Sequence, residues 1–254
     1  MKQILVVIIF IVTFGCKSDK KAQKILTANE IINKSIEVSG GNKFKNSKIN
    51  FDFRDRMYFS HRNKGEFTLA RIMVDQNNDS IIDILSNNDF ERKTKNNENV
   101  FVEDSMAGKY RVSVNSVHYF STLPYGLNDK AVNKTLLKSE QIKGKDYYKV
   151  KVTFNQEGGG EDYEDVFVYW IDRELFKVNY IAYSYNEEDG VGMRFREAYN
   201  ERYINGLRFV DYNNYKAEDA SIQLENLGKT FEANQLKLLS KIELKNVNVD
   251  LINN

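Results

Sequence analysis

The sequence predicts a mainly β protein of the α+β class, in which a curved antiparallel sheet carries helices in its mouth. Apolar residues alternate with a period of two over most of the chain, and the 15 Tyr and 16 Phe residues favour strands. Only two segments show convincing helical periodicity, and short turns join the strands. This pattern argues against a βαβ barrel or a Rossmann sheet, in which helices alternate with strands.

The first 15 residues have the layout of a secretory signal peptide. Lys2 supplies a positive charge, an unbroken apolar run extends from Ile4 to Val12, and Gly15 stands immediately before Cys16. An apolar run of this length spans roughly 14 Å as a helix, about half of the hydrocarbon core of a bilayer. The run is therefore too short for a membrane span, and we predict a signal peptide at 1–15.

Cleavage before a cysteine resembles the processing of bacterial lipoproteins, in which the thiol and the new amine are acylated. This resemblance implies lipid attachment at Cys16, a tether over residues 16–24 and a membrane as partner. Lys17 and Ser18 lack the aspartate that holds many lipoproteins in the inner membrane. The resemblance therefore implies the outer membrane, facing the periplasm. The alternative is a plain signal peptide followed by a chance cysteine.

The composition excludes several kinds of site. Without Lys2 of the leader, 37 − 1 = 36 basic residues balance 36 acidic ones, and no clustered basic face for nucleic acid is evident. Cys16 is the only cysteine, and His61 and His118 are the only histidines. Disulfides, thiolate ligands and a histidine-rich zinc site are therefore excluded from the folded part. We predict no metal and no cofactor.

The first predicted helix follows the tether. Thr27 and Glu30 have the three-residue spacing of a capping box, and apolar residues then recur at helical spacing as far as Ile36. Gly40 and Gly41 supply a stop signal. The sequence therefore predicts a helix of about three turns.

A second helix is predicted between Asp104 and Asp129. Met106, Tyr110 and Val114 fit helical spacing, whereas alternation around Val114 would also suit a strand. The remaining segments alternate with a period of two and are separated by Asn-, Gly- and Lys-rich turns. The predicted strands are Ile49–Phe53, Met57–His61, Phe67–Val74, Ser80–Leu85, Phe90–Lys93, Leu136–Ile142, Tyr147–Phe154, Val166–Ile171, Phe176–Tyr185 and a closing strand at Leu238–Val249.

Asn205 and Gly206 give the strongest turn signal in the chain, because this pair suits a type I′ hairpin. The hairpin predicts cross-strand pairs Ile204–Leu207, Arg202–Phe209, Tyr199–Tyr212 and Arg196–Tyr215. Regular alternation would place Arg194, Arg196 and Arg202 on one face and Glu197, Tyr199 and Glu201 on the other.

Three segments carry a family resemblance. Gly158–Asp172, Met193–Tyr215 and Ser113–Asp129 resemble an uncharacterised family of Gram-negative envelope lipoproteins. The succession of strand, Ile171, Asp172, turn and strand also resembles the LolA/LolB-like lipoprotein-carrier superfamily. That superfamily implies a single domain over residues 25–254: a half-barrel of about eleven antiparallel strands with two or more helices on its concave side. It implies shelter for acyl chains or other apolar ligands, and no catalytic motif.

Candidate site residues fall in three places. His118 lies beside Tyr119 and close to Tyr125 on the segment predicted to cover the sheet, where an imidazole could transfer protons or bind a polar head group. The alternative is a buried histidine satisfied by a neighbour. Asp165 ends an acidic loop after three glycines, which suits a carboxylate pair or simply a charged loop. Arginine and tyrosine on the last hairpin could clamp an anionic ligand, or form cross-strand ion pairs.

We predict a ligand-binding protein without catalysis as the first hypothesis. Its predicted ligand is a lipid or another small amphiphile held in the concave face. The alternatives are a lipoprotein that docks an envelope protein and a hydrolase that uses His118 with Glu197 or Asp165. The predicted ligand-binding residues are His118, Tyr119, Tyr125, Asp165, Trp170, Arg196, Glu197, Tyr199, Asp211 and Tyr212.

Overall fold

A computed structural model describes residues 25–74, 76–77, 79–160, 162–187, 190–219 and 221–252. The predicted signal peptide, the tether and Cys16 lie outside these residues. Three α-helices are described: α1 Ala28–Val38, α2 Asp104–Ser121 and α3 Leu227–Glu232. The strands are β1 Ser47–Phe53, β2 Arg56–Asn63, β3 Glu66–Val74, β4 Ser80–Ser86, β5 Phe90–Thr94, β6 Val132–Ile142, β7 Lys145–Phe154, β8 Val166–Asp172, β9 Val178–Glu187, β10 Gly190–Ile204, β11 Leu207–Ala217, β12 Leu236–Ile242 and β13 Lys245–Leu251. Short 3₁₀ helices occupy Gly41–Asn46 and Leu224–Asn226.

The strands form two antiparallel sheets. The first has six strands in the order β13-β1-β2-β3-β4-β5, and the second has seven in the order β12-β11-β10-β9-β8-β7-β6. Most neighbours follow one another in sequence, as expected for strands joined by short hairpins. The mainly β prediction is confirmed, but the described residues form thirteen strands in two sheets rather than about eleven in one.

The predicted closing strand is two strands that belong to different sheets. β12 pairs with β11 in the seven-stranded sheet, whereas β13 pairs with β1 in the six-stranded sheet. Leu244 lies at the crossing point, where its N–H donates to Asp211 Oδ1 at 3.0 Å and its carbonyl accepts from Arg202 Nη2 at 2.7 Å. These two bonds hold the backbone where it leaves one sheet for the other.

The first helix forms as the sequence predicts. Thr27 accepts a hydrogen bond from the N–H of Glu30, and Glu30 Oε2 accepts one from the N–H of Thr27 at 2.9 Å. This capping box satisfies N–H groups that the first turn would otherwise leave free. Ile31 and Ile32 are fully buried and pack into the core of the seven-stranded sheet.

The predicted segment forms helix α2, so the helical prediction is confirmed and the strand alternative is wrong. This helix lies between the two sheets. On one side, His118 contacts the carbonyl of Ala70 on β3. On the other side, the hydroxyls of Tyr119 and Tyr169 on β8 are hydrogen-bonded at 2.8 Å. The helix therefore joins both sheets through polar contacts as well as packing. In the part of the chain described, no helix combines the length and apolar character needed to cross a bilayer.

A β-bulge changes the register of the last hairpin. The pairs Ile204–Leu207 and Arg202–Phe209 form as predicted, but Tyr199 lies opposite Asp211 and Arg196 lies opposite Asn214. The extra residue falls between Tyr199 and Arg202, where the neighbouring Asn200 has φ 49°. The predicted pairs beyond the bulge are therefore wrong.

The same bulge reverses the face on which Arg202 lies. Its guanidinium contacts Asp211, the residue that pairs with Tyr199, instead of sharing a face with Arg196. The extra residue shifts the alternation by one, which turns each side chain beyond it to the other face. Arg196 lies before the bulge and stays on the face towards α2, where its guanidinium packs against Phe120.

Candidate functional site

A cavity of about 700 Å³ lies between α2 and the seven-stranded sheet. We call it the first cavity. Apolar and aromatic residues of its inner wall include Val117, Phe120, Tyr183, Val210, Tyr212 and Ile242, and serine and asparagine side chains of α2, β9, β11 and β12 also line it. Its volume falls within the roughly 300–1,000 Å³ that is usual for small-molecule sites. Arg196 of β10 lines the same cavity.

The Arg196 side chain is only 8% exposed. Its Nη2 donates to the hydroxyl of Tyr183 at 2.7 Å, and its guanidinium carbon lies 3.7 Å from the centroid of the Phe120 ring. Its Nε has no hydrogen-bond partner, and no carboxylate of the described residues forms an ion pair with it. Aromatic faces attract a cation, but they offset only part of the free energy that burial of a charge costs.

The mouth of the first cavity is charged. The turn between β1 and β2 contributes Arg54, Asp55 and Arg56, and a loop before β8 contributes Asp162 and Asp165. Burial, together with the nearby negative charge of Asp162, raises the pKa of Asp165 to about 7. This carboxyl therefore changes charge near neutral pH at the entrance to the cavity.

A second cavity of about 410 Å³ lies against another face of α2. Asn115, His118 and Tyr119 line it, whereas Val117 and Phe120 line the first cavity. Residues three and four apart share a helix face, so one helix can present two sets of side chains to two cavities. Other lining residues of this second cavity are Lys45, Arg62, Glu66, Tyr125 and Asp129.

His118 is a buried, neutral imidazole. Its Nε2 lies 3.1 Å from the carbonyl oxygen of Ala70, which can only accept, so Nε2 carries the proton and Nδ1 is a bare acceptor. Nδ1 has no hydrogen-bond partner. The pKa of His118 is lowered to about 3, chiefly by burial and to a lesser degree by the charge of Arg62, while the Ala70 carbonyl opposes the change. The imidazole is therefore not poised for proton transfer at neutral pH.

The structure divides the predicted ligand-binding residues into three groups. Asp165, Arg196 and Tyr212 line the first cavity. His118, Tyr119 and Tyr125 line the second. The remaining four line neither cavity: Trp170, Glu197, Tyr199 and Asp211.

Trp170 lies on the face of β8 opposite to α2. Its side chain has no exposed area and packs edge-on against Phe195 in the cluster that includes Leu227 and Phe231 at α3. Because successive side chains of a strand point to opposite faces, Trp170 and the neighbouring Tyr169 are buried against different helices. Trp170 therefore lies on the other side of the sheet from the first cavity, and its predicted role in ligand binding stays a prediction.

Glu197, Tyr199 and Asp211 have partners outside the cavities. Glu197 accepts from Lys143 at 2.5 Å and from Tyr215 at 3.3 Å. The Tyr199 hydroxyl donates to Glu243 at 2.8 Å, and Asp211 binds Arg202 at 3.1 Å. For these residues the structure supports the alternative of cross-strand polar pairing.

The groups needed by the predicted hydrolase are not brought together. His118 is bonded to a backbone carbonyl, and Glu197 is bonded on the opposite side of the seven-stranded sheet, at its contact with Lys143. No hydrogen bond joins His118 to a carboxylate within the described residues. Those residues also contain no group of three or more His, Cys, Asp or Glu side chains that could hold a metal ion.

Two residues that position the guanidinium were not among the predicted site residues. The hydroxyl of Tyr183 on β9 accepts a hydrogen bond from Arg196, and the ring of Phe120 on α2 stacks against the guanidinium. A signal for Tyr183 is present, because Ile181, Tyr183 and Tyr185 alternate along one face of β9. The sequence does not reveal which face of that strand lies towards α2.

Comparisons with known proteins place the chain among proteins without an assigned activity. The model of a family of unknown function (DUF6503) matches residues 2–244. No curated protein matches the sequence. The family match agrees with the uncharacterised family that the sequence resembles.

Several solved structures have a similar arrangement, and three of them illustrate it. A LolA superfamily protein from Nitrosomonas europaea has 11% identity and a TM-score of 0.48, with 91% of this chain and 95% of that chain covered. A DUF1329 family protein from Desulfovibrio piger has 8% identity and a TM-score of 0.38, with 88% and 93% covered. A candidate outer membrane lipoprotein-sorting protein domain from Vibrio parahaemolyticus has 9% identity and a TM-score of 0.39, with 79% and 99% covered. At these TM-scores, ligand and partner must be argued from this chain's own residues.

Proposed function

The chain belongs to a family of unknown function, the DUF6503 family, and we propose that it binds a small amphiphile with an anionic group in the first cavity. In this proposal the protein shelters its ligand without changing it. The two sheets and α2 together act as a half-open barrel around the ligand. The anionic group meets Arg196, and the apolar part lies against the inner wall.

The observation that supports this proposal is the uncompensated charge of Arg196. A guanidinium that is 8% exposed and lacks a carboxylate retains most of the free-energy cost of its desolvation. An anionic group of a ligand would supply the missing charge beside the guanidinium. Arginine is suited to this role because its planar guanidinium can bind a carboxylate, sulfonate or phosphate through two parallel hydrogen bonds.

The wall around Arg196 favours an apolar remainder of the ligand. Phe120, Val117 and Ile242 contribute rings and aliphatic surface to the cavity. Burial of apolar ligand surface against such a wall contributes about 25 cal/mol per Å². An anionic group attached to an apolar chain therefore fits this cavity better than a fully polar anion does.

The proposal is tested with three compounds that share a ten-carbon chain: decanesulfonate, decyltrimethylammonium and decanol. Titration calorimetry on the soluble domain should show the tightest binding for decanesulfonate. Arg196→Met should weaken decanesulfonate binding at least about tenfold, because one charge-assisted hydrogen bond contributes about 1.5–3 kcal/mol. Decanol binding should change little, since methionine preserves apolar contact.

Arg173→Met is the matched control, because Arg173 is exposed in the turn between β8 and β9 and lines neither cavity. It should leave all three affinities unchanged. Equal affinity for the anionic and cationic compounds would overturn the proposal, as would an unchanged decanesulfonate affinity in Arg196→Met. Circular dichroism would establish that each variant is folded.

Lipid attachment at Cys16, after removal of residues 1–15, is also part of the proposal. It would hold the protein at the outer membrane, facing the periplasm. Replacement of Cys16 by alanine should abolish incorporation of a labelled fatty acid and move the protein from the membrane fraction to the soluble fraction. An unlabelled wild-type protein would contradict this part without affecting the cavity. Docking of an envelope protein stays a prediction of the sequence.

A further inference from the structure

We propose that the outer face of the six-stranded sheet docks a second copy of this chain. The inner face of that sheet lies towards α2, and the outer face is the opposite side. This inference goes beyond the ligand proposed for the first cavity, because it concerns a surface that no cavity shares. It rests on an apolar patch that no described element covers and on charges of opposite sign at the two ends of that patch.

Strand pairing fixes which side chains lie on the outer face. Arg71 of β3 lies on the inner face, because its guanidinium donates to Ser113 of α2 at 2.5 Å. The pairs from β1 to β5 run without a shift in register, so the alternate side chains of each strand point away from α2. The apolar residues on the outer face of β2, β3 and β4 are Met57, Phe59, Ala70, Ile72, Val74, Ile82 and Ile84.

These seven residues form one patch that the described part of the chain leaves uncovered. None of them belongs to the three hydrophobic core clusters or packs against one. Met57 is 48% exposed and Val74 is 60% exposed, and only Ala70 is buried. A contiguous apolar patch at a protein surface is typical of an interaction site.

One row across the patch carries opposite charges at its two ends. The row runs through paired residues of five neighbouring strands: Asp52, Met57, Ile72, Ile82 and Lys93. Three apolar side chains therefore separate an acid on β1 from a base on β5. This is an arrangement that can be complementary to itself.

The two charged ends can each take a further partner. Asp52 accepts from Asn246 at 2.7 Å, and Lys93 contacts Glu91 at 2.8 Å. A carboxylate offers about four acceptor sites and an ammonium group offers three donors. Contacts already made at the rim therefore do not prevent an ion pair with a second copy.

A second copy fits the row through a two-fold axis that runs parallel to the strands and passes through Ile72. Such a rotation reverses the order of the strands, so Asp52 of each copy lies opposite Lys93 of the other. Ile72 then meets its own counterpart, and this self-complementary contact is what two-fold symmetry requires. An anionic bilayer fits the face less well, because Asp52 and Glu91 would repel it.

The size of the face indicates a weak dimer. Its six strands are about 4.8 Å apart and about seven residues long, which gives an area of roughly 24 by 20 Å. Two such faces bury on the order of 1,000 Å² in total, at the low end for specific interfaces. Covalent capture is therefore better suited to detect this dimer than isolation of the complex.

The experiment uses the full chain in its own membranes, with Ile72→Cys and a short bismaleimide cross-linker. Two thiols beside the two-fold axis should be joined, giving a product of twice the mass. Leu175→Cys is the matched control, because Leu175 is 54% exposed in the turn between β8 and β9, on the other sheet. It should give no more dimer than the unsubstituted chain, in which Cys16 is the only thiol. Equal dimer yields from Ile72→Cys and Leu175→Cys would overturn the proposal.

Charge reversal in the Ile72→Cys chain tests the two-fold arrangement. Asp52→Lys and Lys93→Asp each bring like charges together at both ends of the row, so each alone should lower the dimer yield at least about tenfold. Co-expression of the two variants with different tags restores opposite charges at both ends, and the mixed dimer should return to the original yield.

Absence of the mixed dimer, with both variants folded by circular dichroism, would contradict the proposed pairing of Asp52 with Lys93. The comparison of Ile72→Cys with Leu175→Cys needs no charge variant, so it decides the outcome even if one of them fails to fold. Decanesulfonate binding in the first cavity is measured separately, on the side of the six-stranded sheet that faces α2. Failure of the dimer is therefore distinguishable from failure of the ligand site.

Discussion

Two regions of the molecule bury arginine in opposite ways. On the six-stranded sheet, Asp83 is fully buried and binds Arg71 at 2.5 Å and Arg92 at 2.6 Å. On the seven-stranded sheet, Arg196 is buried to a similar extent but has a tyrosine hydroxyl and aromatic faces as partners. The first arrangement supplies a counter-charge from the protein, whereas the second leaves that charge to be supplied from outside.

The contrast separates a structural role from a binding role for the same side chain. Arg71 also donates to Ser113 of α2 at 2.5 Å, so the paired cluster fastens the helix to the six-stranded sheet. Arg196 forms no ion pair with another described residue, and it lines a cavity large enough for a ligand. Uncompensated burial, rather than burial alone, is therefore the feature that indicates a site.

The largest expected effect comes from removal of the shared carboxylate. Asp83→Asn should destabilise the protein by about 3–5 kcal/mol, because it leaves two arginines in a buried cluster without their counter-charge. Arg196→Met should change stability by about 1 kcal/mol or less, since it replaces an unpaired buried cation with an apolar side chain. Urea unfolding followed by circular dichroism measures both values. Similar losses of unfolding free energy in the two variants would contradict the contrast between the paired and the unpaired arginines.

A smaller effect is expected from pH at the mouth of the first cavity. The folded pKa of Asp165 is about 7, above the ordinary value of 3.8, so its carboxyl is mostly neutral at pH 6 and mostly ionised at pH 8. Ionisation adds a negative charge to a lining that already contains Asp55, Asp162 and Glu164. The affinity for decanesulfonate, an anion throughout this range, should therefore fall a few-fold from pH 6 to pH 8.

Asp165→Asn should remove most of that pH dependence, and decanol binding should show little pH dependence in either protein. Calorimetric titrations at several pH values measure both effects. The sign for stability is the same, because a raised carboxyl pKa contributes stability that is fully present below pH 3.8 and is lost as the pH rises from there to about 7. A decanesulfonate affinity that increases with pH would contradict the assignment of Asp165 to the mouth.

Local signals predict much of the fold because they depend on neighbouring residues. The capping box at Thr27 and Glu30, the helical spacing around Tyr110, and the turn at Asn205 and Gly206 all form. Each is decided within a few residues by backbone hydrogen bonding or by a positive φ that the residue tolerates.

The register beyond the bulge depends on distant contacts and is not visible in the sequence. Asn200 adopts φ 49° without a glycine to announce it. Likewise, no proline or glycine marks the crossing at Leu244, where hydrogen bonds to Asp211 and Arg202 hold the chain between the sheets. One extra residue and one change of sheet were enough to redirect several predicted side chains.

The candidate site was predicted only in part, because it too depends on contacts between residues that are distant in sequence. Alternation correctly separates Arg196 from Glu197, but it does not say that both faces of β8 are covered by helices. Both Tyr169 and Trp170 are therefore buried, and aromatic character alone does not tell which one lies towards the ligand. The division of α2 between two cavities likewise depends on how the sheets are arranged around it.

The burial of Trp170 has a spectroscopic consequence. It is the only indole of the chain, and it packs so closely under α3 that a Cβ on Gly228 would lie 2.9 Å from its ring atoms. Its near-ultraviolet emission should therefore be blue-shifted and poorly quenched by iodide. The emission therefore reports on how α3 packs against Trp170. A fluorescence titration should show no change when a ligand binds in the first cavity beside α2.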